Sequence, residues 1–271
     1  MSMNRKRILR TIATALLLCL LAGCGQSVPE PVEETPIQTV VELPEVDDRT
    51  WAQRRLHAYA DFMGYSYTVY PDSLRALLEK NREAISFVLQ YPENHNKTYA
   101  IDLSEYKNSK SVPLFLQWDQ RWGYKIYGND VAGITACGPL CLSMVAFYLT
   151  GNENMSPDKI MQFAMDNGYC VPGNGSRWTL ISQGAQKLGL NVQELPLVER
   201  RVRNEVLAGN PVICIMGPGI FTTSGHFIVI TGYENGMYRI NDPNSVIRSN
   251  QLWSFNQIQD QIRNLWALSA P

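Results

Sequence analysis

Cys137-Gly138-Pro139 heads an apolar run, and Gly225-His226-Phe227 and Asn241-Asp242-Pro243 follow it in that order. A thiol, an imidazole and a carboxylate supply the parts of nucleophilic acyl chemistry: the thiolate attacks, the imidazole moves the proton, the carboxylate aims the ring. Pro139 suits the first turn of a helix, where its missing N–H costs nothing and its fixed φ favours initiation. Cys137 then falls at or just before a helix start, where the macrodipole and unpaired N–H groups lower a thiol's pKa. Taken alone, a buried cysteine before a helix is more often inert packing. Cys141, one turn further in, is assigned to the core.

His226 raises the case for chemistry, because it is the only histidine after His95. It opens Phe227-Ile228-Val229-Ile230, a strand too apolar to face solvent on both sides. Tyr233 and Met237 flank Glu234-Asn235-Gly236, read as a three-residue loop with Gly236 in the left-handed position. In that register Asp242 lies opposite Ile228 and diagonal to His226 on one face, roughly 7–8 Å away. A two-residue Asn235-Gly236 turn would put the two side chains on opposite faces. The chemistry therefore favours the longer loop. Asp242 could instead simply end its strand in an Asp-Pro turn; Asn241, its neighbour, points the other way.

The elements that must position these groups are legible in outline. Pro139 to Thr150 reads as a central buried helix ending at Gly151. Asp158 to Asp166 and Leu180 to Leu188 read as further helices, the second closed by Gly189. Strands follow at 211–216, 226–233 and 237–241, and helices before antiparallel strands indicate an α+β fold. Residues 48–92 read as a helical lead-in. Trp51, Leu56, Tyr59 and Phe62 form an imperfect apolar face broken at Gly64. Pro71-Asp72-Ser73 then starts a helix with Leu74, Leu77 and Leu78, followed by Ile85, Val88 and Leu89 before an exit at Tyr91-Pro92. No chemistry-bearing set lies there. A spacer is the favoured reading, over a cover for the cleft or a partner-binding module.

The N-terminus has the pattern of a targeting segment. Arg5, Lys6, Arg7 and Arg10 precede an apolar run from Ile12 to Ala22, shorter than the roughly 20 residues a spanning helix needs. The run ends in Leu21-Ala22-Gly23-Cys24. Pro29, Pro31, Pro36 and Pro44, with Glu30, Glu33, Glu34, Glu42 and Glu45, make the next stretch an extended, solvated linker. The expected organisation is a leader over 1–23, Cys24 and linker over 24–47, lead-in over 48–110 and the main domain over 111–271.

The net charge of −1 over 271 residues gives no basic footprint for nucleic acid. Six cysteines do not form a disulfide framework, since Cys19 leaves with the leader and the flanks of Cys137, Cys141, Cys170 and Cys214 are apolar or catalytic in type. Their spacing matches no zinc site. No metal or organic cofactor is implied.

Leu21-Ala22-Gly23-Cys24 resembles a bacterial lipoprotein processing box, which implies cleavage before Cys24, its lipidation and attachment to the outer face of the cell membrane. Gln117-Trp118-Asp119-Gln120-Arg121-Trp122, Tyr127-Gly128, Ala136-Cys137-Gly138-Pro139, Gly225-His226-Phe227-Ile228-Val229 and Asn241-Asp242-Pro243-Asn244 resemble the papain-like superfamily of bacteriocin double-glycine leader peptidases, in its stand-alone branch. The resemblance covers roughly residues 112–266. It implies a central helix packed on an antiparallel sheet, a peptide or protein substrate, and catalytic Cys137, His226 and Asp242, with Gln117 as the oxyanion-hole amide. Trp122, Trp178 and Tyr127 are expected to pack, though one could line a cleft. Two other functions use the same scaffold: hydrolysis or transfer at another amide, such as a peptidoglycan cross-link, and binding without catalysis.

Overall fold

The computed structural model describes residues 47–107 and 109–271. The leader, Cys24 and the linker up to residue 46 lie outside the described residues. Helix α1 (Trp51–Met63) begins at a capping box, in which Thr50 and Gln53 each accept from the other's backbone N–H, and Gly64 ends it in a left-handed conformation. Its buried stripe is Ala52, Leu56 and Ala60, whereas Phe62 is 85% exposed. Of the face expected through Trp51, Leu56, Tyr59 and Phe62, Leu56 is buried and Trp51 packs at the edge of the core, but Ala52 and Ala60 take the inner positions and Phe62 lies outside.

Helix α2 (Asp72–Lys80) buries Leu74, Leu77 and Leu78 as expected. A short helix (Ile85–Leu89) buries Phe87 and Val88. Pro92 then sits in the first turn of another short helix, Tyr91–Asn94, so the chain does not leave helical structure there. The Phe87 ring stacks on Tyr124 at 4.3 Å. It fills space that a Cβ at Gly133 would enter at 2.6 Å and one at Gly123 at 2.8 Å. Those two glycines form a slot that keys the lead-in into the rest of the chain. Residues 48–271 form one compact unit.

Helix α3 (Cys137–Thr150) is buried at every position from Gly138 to Phe147 and stops at Gly151. A helix apolar on all sides must be central, and α4 (Pro157–Asp166) covers part of it. The segment read as a helix over 180–188 opens as a π-helical stretch, Leu180–Gly184, before Ala185–Lys187 turns α-helical. Beyond it come β1 (Asn191–Glu194), α5 (Glu199–Leu207), β2 (Val212–Met216), β3 (His226–Glu234), β4 (Met237–Asn241), β5 (Leu252–Trp253) and β6 (Ile262–Ser269). The six strands form one antiparallel sheet in the order β1-β6-β2-β3-β4-β5.

Side chains alternate across that sheet. Ile213, Ile215, Phe227 and Val229 pack with α3. Val212, Cys214, Ile228 and Ile230 pack on the other side with Val202 and Val206 of α5. The architecture is α+β, with a central helix on an antiparallel sheet. Among the described residues no helix is long and apolar enough to cross a membrane.

The hairpin between β3 and β4 departs from expectation in one respect. Glu234 pairs with Met237, so the turn has two residues, Asn235 at φ 51° and Gly236 at φ 81°. Those positive angles match the twist that a two-residue hairpin needs. The register then shifts at a bulge between Ile230 and Gly232, and beyond it Ile230 pairs with Ile240 and Val229 with Asn241. The extra residue, Thr231, restores the pairing expected near the site. The turn has two residues rather than three, yet the register at His226 and Asp242 is the one the chemistry favours, because the bulge cancels the offset of the turn.

Candidate active site

Ala136 is the non-helical residue before α3, Cys137 its first residue, and Pro139 lies in the first turn. The thiol is partly buried. Burial pushes its pKa up. The hydrogen bond and charge of the His226 ring, helped by the N–H groups of Phe227 and Gly138, outweigh that and hold it below the ordinary thiol range. Cys141, fully buried one turn on, is pushed well up by burial first and then by the Cys137 and Asp242 charges. Cys137, Cys141, Cys170 and Cys214 are all free thiols.

His226 is the first residue of β3 and 6% exposed. Its Nε2 donates to Asp242 Oδ1 at 2.7 Å, which leaves Nδ1 as the ring nitrogen available to the thiol. Burial works against an imidazolium. The Asp242 charge and hydrogen bond, followed by the Cys137 partner, overcome it and raise the ring's pKa to about 10.

Asp242 is 0% exposed, a burial that would raise its pKa. The charges and hydrogen bonds of His226 and Arg248 instead hold it below the usual carboxylate range. Both of its oxygens are occupied: Oδ1 also accepts from Asn244 N at 2.8 Å, and Oδ2 from Arg248 Nε at 2.5 Å. A buried carboxylate fully partnered in this way remains charged and keeps one orientation. Asn241 points away from the site, its Nδ2 donating to Val112 O and Pro113 O at 3.0 Å each.

Gln117 is 3% exposed and faces the same cleft as Cys137 and His226. Its backbone N donates to Pro243 O at 2.7 Å, which ties it to the Asp242 turn. One side-chain N–H reaches Ala132 O at 3.3 Å. The space left by Gly138 is taken by Ser176, since a Cβ there would lie 2.9 Å from Ser176 Oγ. Trp122 and Tyr127 are fully buried, while Trp178 is 45% exposed and lines a cleft.

Two open clefts meet at Cys137 and His226. One, of about 620 Å³, runs between α2 and the 219–225 loop, with Gln117, Asn244 and Arg248 in its wall. The other, of about 570 Å³, lies on the far side of the thiol, against Ser176, Trp178, Ile215 and Phe227. A chain crossing the thiol has room on both sides of the bond beneath it. Lys80 and Arg248 line the first cleft, and among the described residues no carboxylate does.

Sequence reasoning missed Arg248 and the α2 wall. Ser73, Ala76, Leu77, Lys80 and Asn81 line the first cleft, so the lead-in is not a spacer. Glu83 and Asn81 also bond directly to the 244–247 segment. A usable signal was present in Ser245, which caps the short helix Val246–Ser249: an open helix start asks for an acceptor, though nothing local names which acid supplies it. Among the described residues no group of three or more His, Cys, Asp or Glu could hold a metal ion.

A thiol at the head of a central helix, set against a histidine on an antiparallel sheet, defines the class of papain-like cysteine peptidases. The sequence pattern of the Peptidase_C39 like family matches residues 109–269, and the chain belongs to that family. Its fold is similar to the peptidase domain of Streptococcus ComA, a bi-functional ABC transporter involved in a quorum sensing pathway. The identity there is 20% and the TM-score 0.42, covering 59% of this chain and 99% of that one. It is also similar to a C39-like peptidase from Bacillus anthracis, at 16% identity and TM-score 0.37, covering 61% of this chain and 96% of that one. No curated protein matches the chain significantly.

Proposed function

We propose that the chain hydrolyses peptide bonds through a Cys137 thioester, on the outer face of a bacterial membrane to which a lipidated Cys24 attaches it. The observation that carries the reading is the unbroken series Cys137, His226, Asp242 at the junction of two clefts. Cys137 Sγ attacks the scissile carbonyl carbon, and the carbonyl π electrons move onto oxygen. The Gln117 amide and the Cys137 N–H, one of the helix-start donors without an intrahelical acceptor, stabilise that oxyanion. Its collapse breaks the C–N bond as protonated His226 gives its proton to the leaving amine. His226 then takes a proton from water, whose oxygen attacks the thioester, and returns it as the thiol leaves. Asp242 keeps the ring aimed and stabilises its charge throughout.

Cys137→Ala is expected to abolish cleavage of a peptide library, and iodoacetamide is expected to label Cys137 well before Cys141. Unchanged cleavage in Cys137→Ala, or equal labelling of the two thiols, removes the reading. A library of linear peptides run beside muropeptides separates peptide-bond hydrolysis from cell-wall cross-link hydrolysis.

A further inference from the structure

The segment from Asp242 to Ser249 carries both groups that, besides His226, hold the Asp242 carboxylate: Asn244 N and Arg248 Nε. It leaves the end of β4 as a tight turn followed by one helical turn, Val246–Ser249. Ser245, Arg248 and Ser249 close it on itself, with Ser245 N donating to Asp242 O at 3.1 Å, and Ser249 Oγ to Ser245 O at 2.7 Å and Asp242 O at 3.3 Å. Asp242 N donates to Ser249 Oγ at 2.9 Å, and Arg248 N to Ser245 Oγ at 3.0 Å. The first N–H groups of the helical turn have no acceptor within it.

Glu83 supplies that acceptor from the lead-in. Its Oε2 accepts from Val246 N at 2.8 Å and Ile247 N at 3.0 Å, and its Oε1 from Ser245 Oγ at 2.5 Å. A carboxylate at this end also meets the positive end of the peptide dipoles. Asn81 Nδ2 donates to Asn244 O at 2.7 Å and Asn244 Oδ1 at 3.0 Å. Asn81 Oδ1 in turn accepts from Glu83 N at 3.0 Å, which locks the two residues together. The clamp grips the segment at four consecutive residues, 244 to 247, between the two donors to Asp242.

We infer that Glu83 is a positioning residue of the reaction: by holding the 244–248 turn it fixes the Asp242 carboxylate and, through it, the His226 ring. The Glu83 carboxylate bonds Ser245, Val246 and Ile247, and so acts on Asp242 and His226 only through the turn. The inference rests on the peptidase reading above and extends the working site into a segment outside the family match, which begins at residue 109.

The test uses the full chain and reads kcat, KM, melting temperature and the pH midpoint of Cys137 alkylation by iodoacetamide. Glu83→Ala is expected to lower kcat about 10- to 100-fold, the scale of a small misplacement of reacting groups, with KM nearly unchanged and the alkylation midpoint raised. Glu83→Gln is expected to recover part of both, since its amide oxygen can still accept from Val246 N and Ile247 N. A Glu83→Ala chain that melts earlier yet keeps its kcat and midpoint overturns the inference, because the clamp then serves stability alone. Should Glu83→Ala fail to fold, Asn81→Ala is read the same way: a raised midpoint with lowered kcat supports the clamp, and unmoved values overturn it. A wild-type Cys137 no more reactive than an ordinary thiol removes the peptidase reading and this inference together; a reactive wild type with an unmoved Glu83→Ala removes the inference alone.

Discussion

At the scale of single residues, two opposed shifts set the chemistry. The Cys137 thiol is held below its ordinary range and the His226 ring is raised to about 10. In the window those opposed directions open, the pair is a thiolate and an imidazolium. Rising pH deprotonates the thiol on the acid limb, below the usual thiol value of about 8.5. Passing through about 10 removes the imidazolium and, with it, the proton for the leaving amine. The plot of kcat/KM against pH is therefore expected to rise with a midpoint below the ordinary thiol value, hold a plateau, and fall at about 10. Asp242→Asn removes the charge that keeps the ring protonated. It is expected to raise the thiol midpoint, lower the ring's, narrow the plateau from both sides and reduce kcat by roughly 10²–10⁴. A plateau of unchanged width in Asp242→Asn removes Asp242 from the mechanism. Cys137, His226 and Asp242 were legible in the sequence because the thiol precedes an apolar helix, the imidazole has no competitor after His95, and the hairpin brings the carboxylate back to it. Gln117 rested on family resemblance. Arg248 left no mark, since an arginine six residues beyond an aspartate is ordinary until the turn folds.

At the scale of elements, the decisive features are small irregularities. The two-residue turn at Asn235-Gly236 alone would have separated His226 from Asp242, and the bulge at Thr231 restores them to one face. Periodicity reports which strands exist, but a bulge is a choice between two pairings of similar local energy, made by what the rest of the sheet packs against. The same holds in α1, where Ala52 and Ala60 are inside and Phe62 outside: the partner helix, not side-chain size, selects the buried stripe. Phe87 shows what joins the lead-in to the main fold. It is 2% exposed and seated over Gly123 and Gly133. Phe87→Ala empties that slot and is expected to cost roughly 3–5 kcal/mol, read as a lower melting temperature together with weakened activity, because the α2 wall of the cleft is released with it. A melting temperature within a degree of wild type places the docking energy elsewhere.

At the scale of the whole molecule, the lead-in and the family domain behave as one working body. The cleft beside the thiol takes one wall from each, so residues outside the family match line the space next to Cys137. The N-terminal pattern of cations, apolar run and Cys24 argues for attachment at a membrane surface, where two acyl chains suffice for stable anchoring. Cys24→Ser is expected to shift the protein from the membrane fraction to the soluble fraction without changing Cys137 reactivity. Retention in the membrane fraction excludes lipidation at Cys24 as the anchor. The α+β class, the central helix, its thiol, and the imidazole and carboxylate that follow could be read from the residues alone, because periodicity, turn chemistry and the scarcity of histidine are local or countable. Folding settled the final register of the hairpin, the second support of Asp242 from Arg248, and the union of Glu83 with Val246 across 163 positions. Contacts between segments so far apart leave no periodic trace; they exist only once both segments are packed.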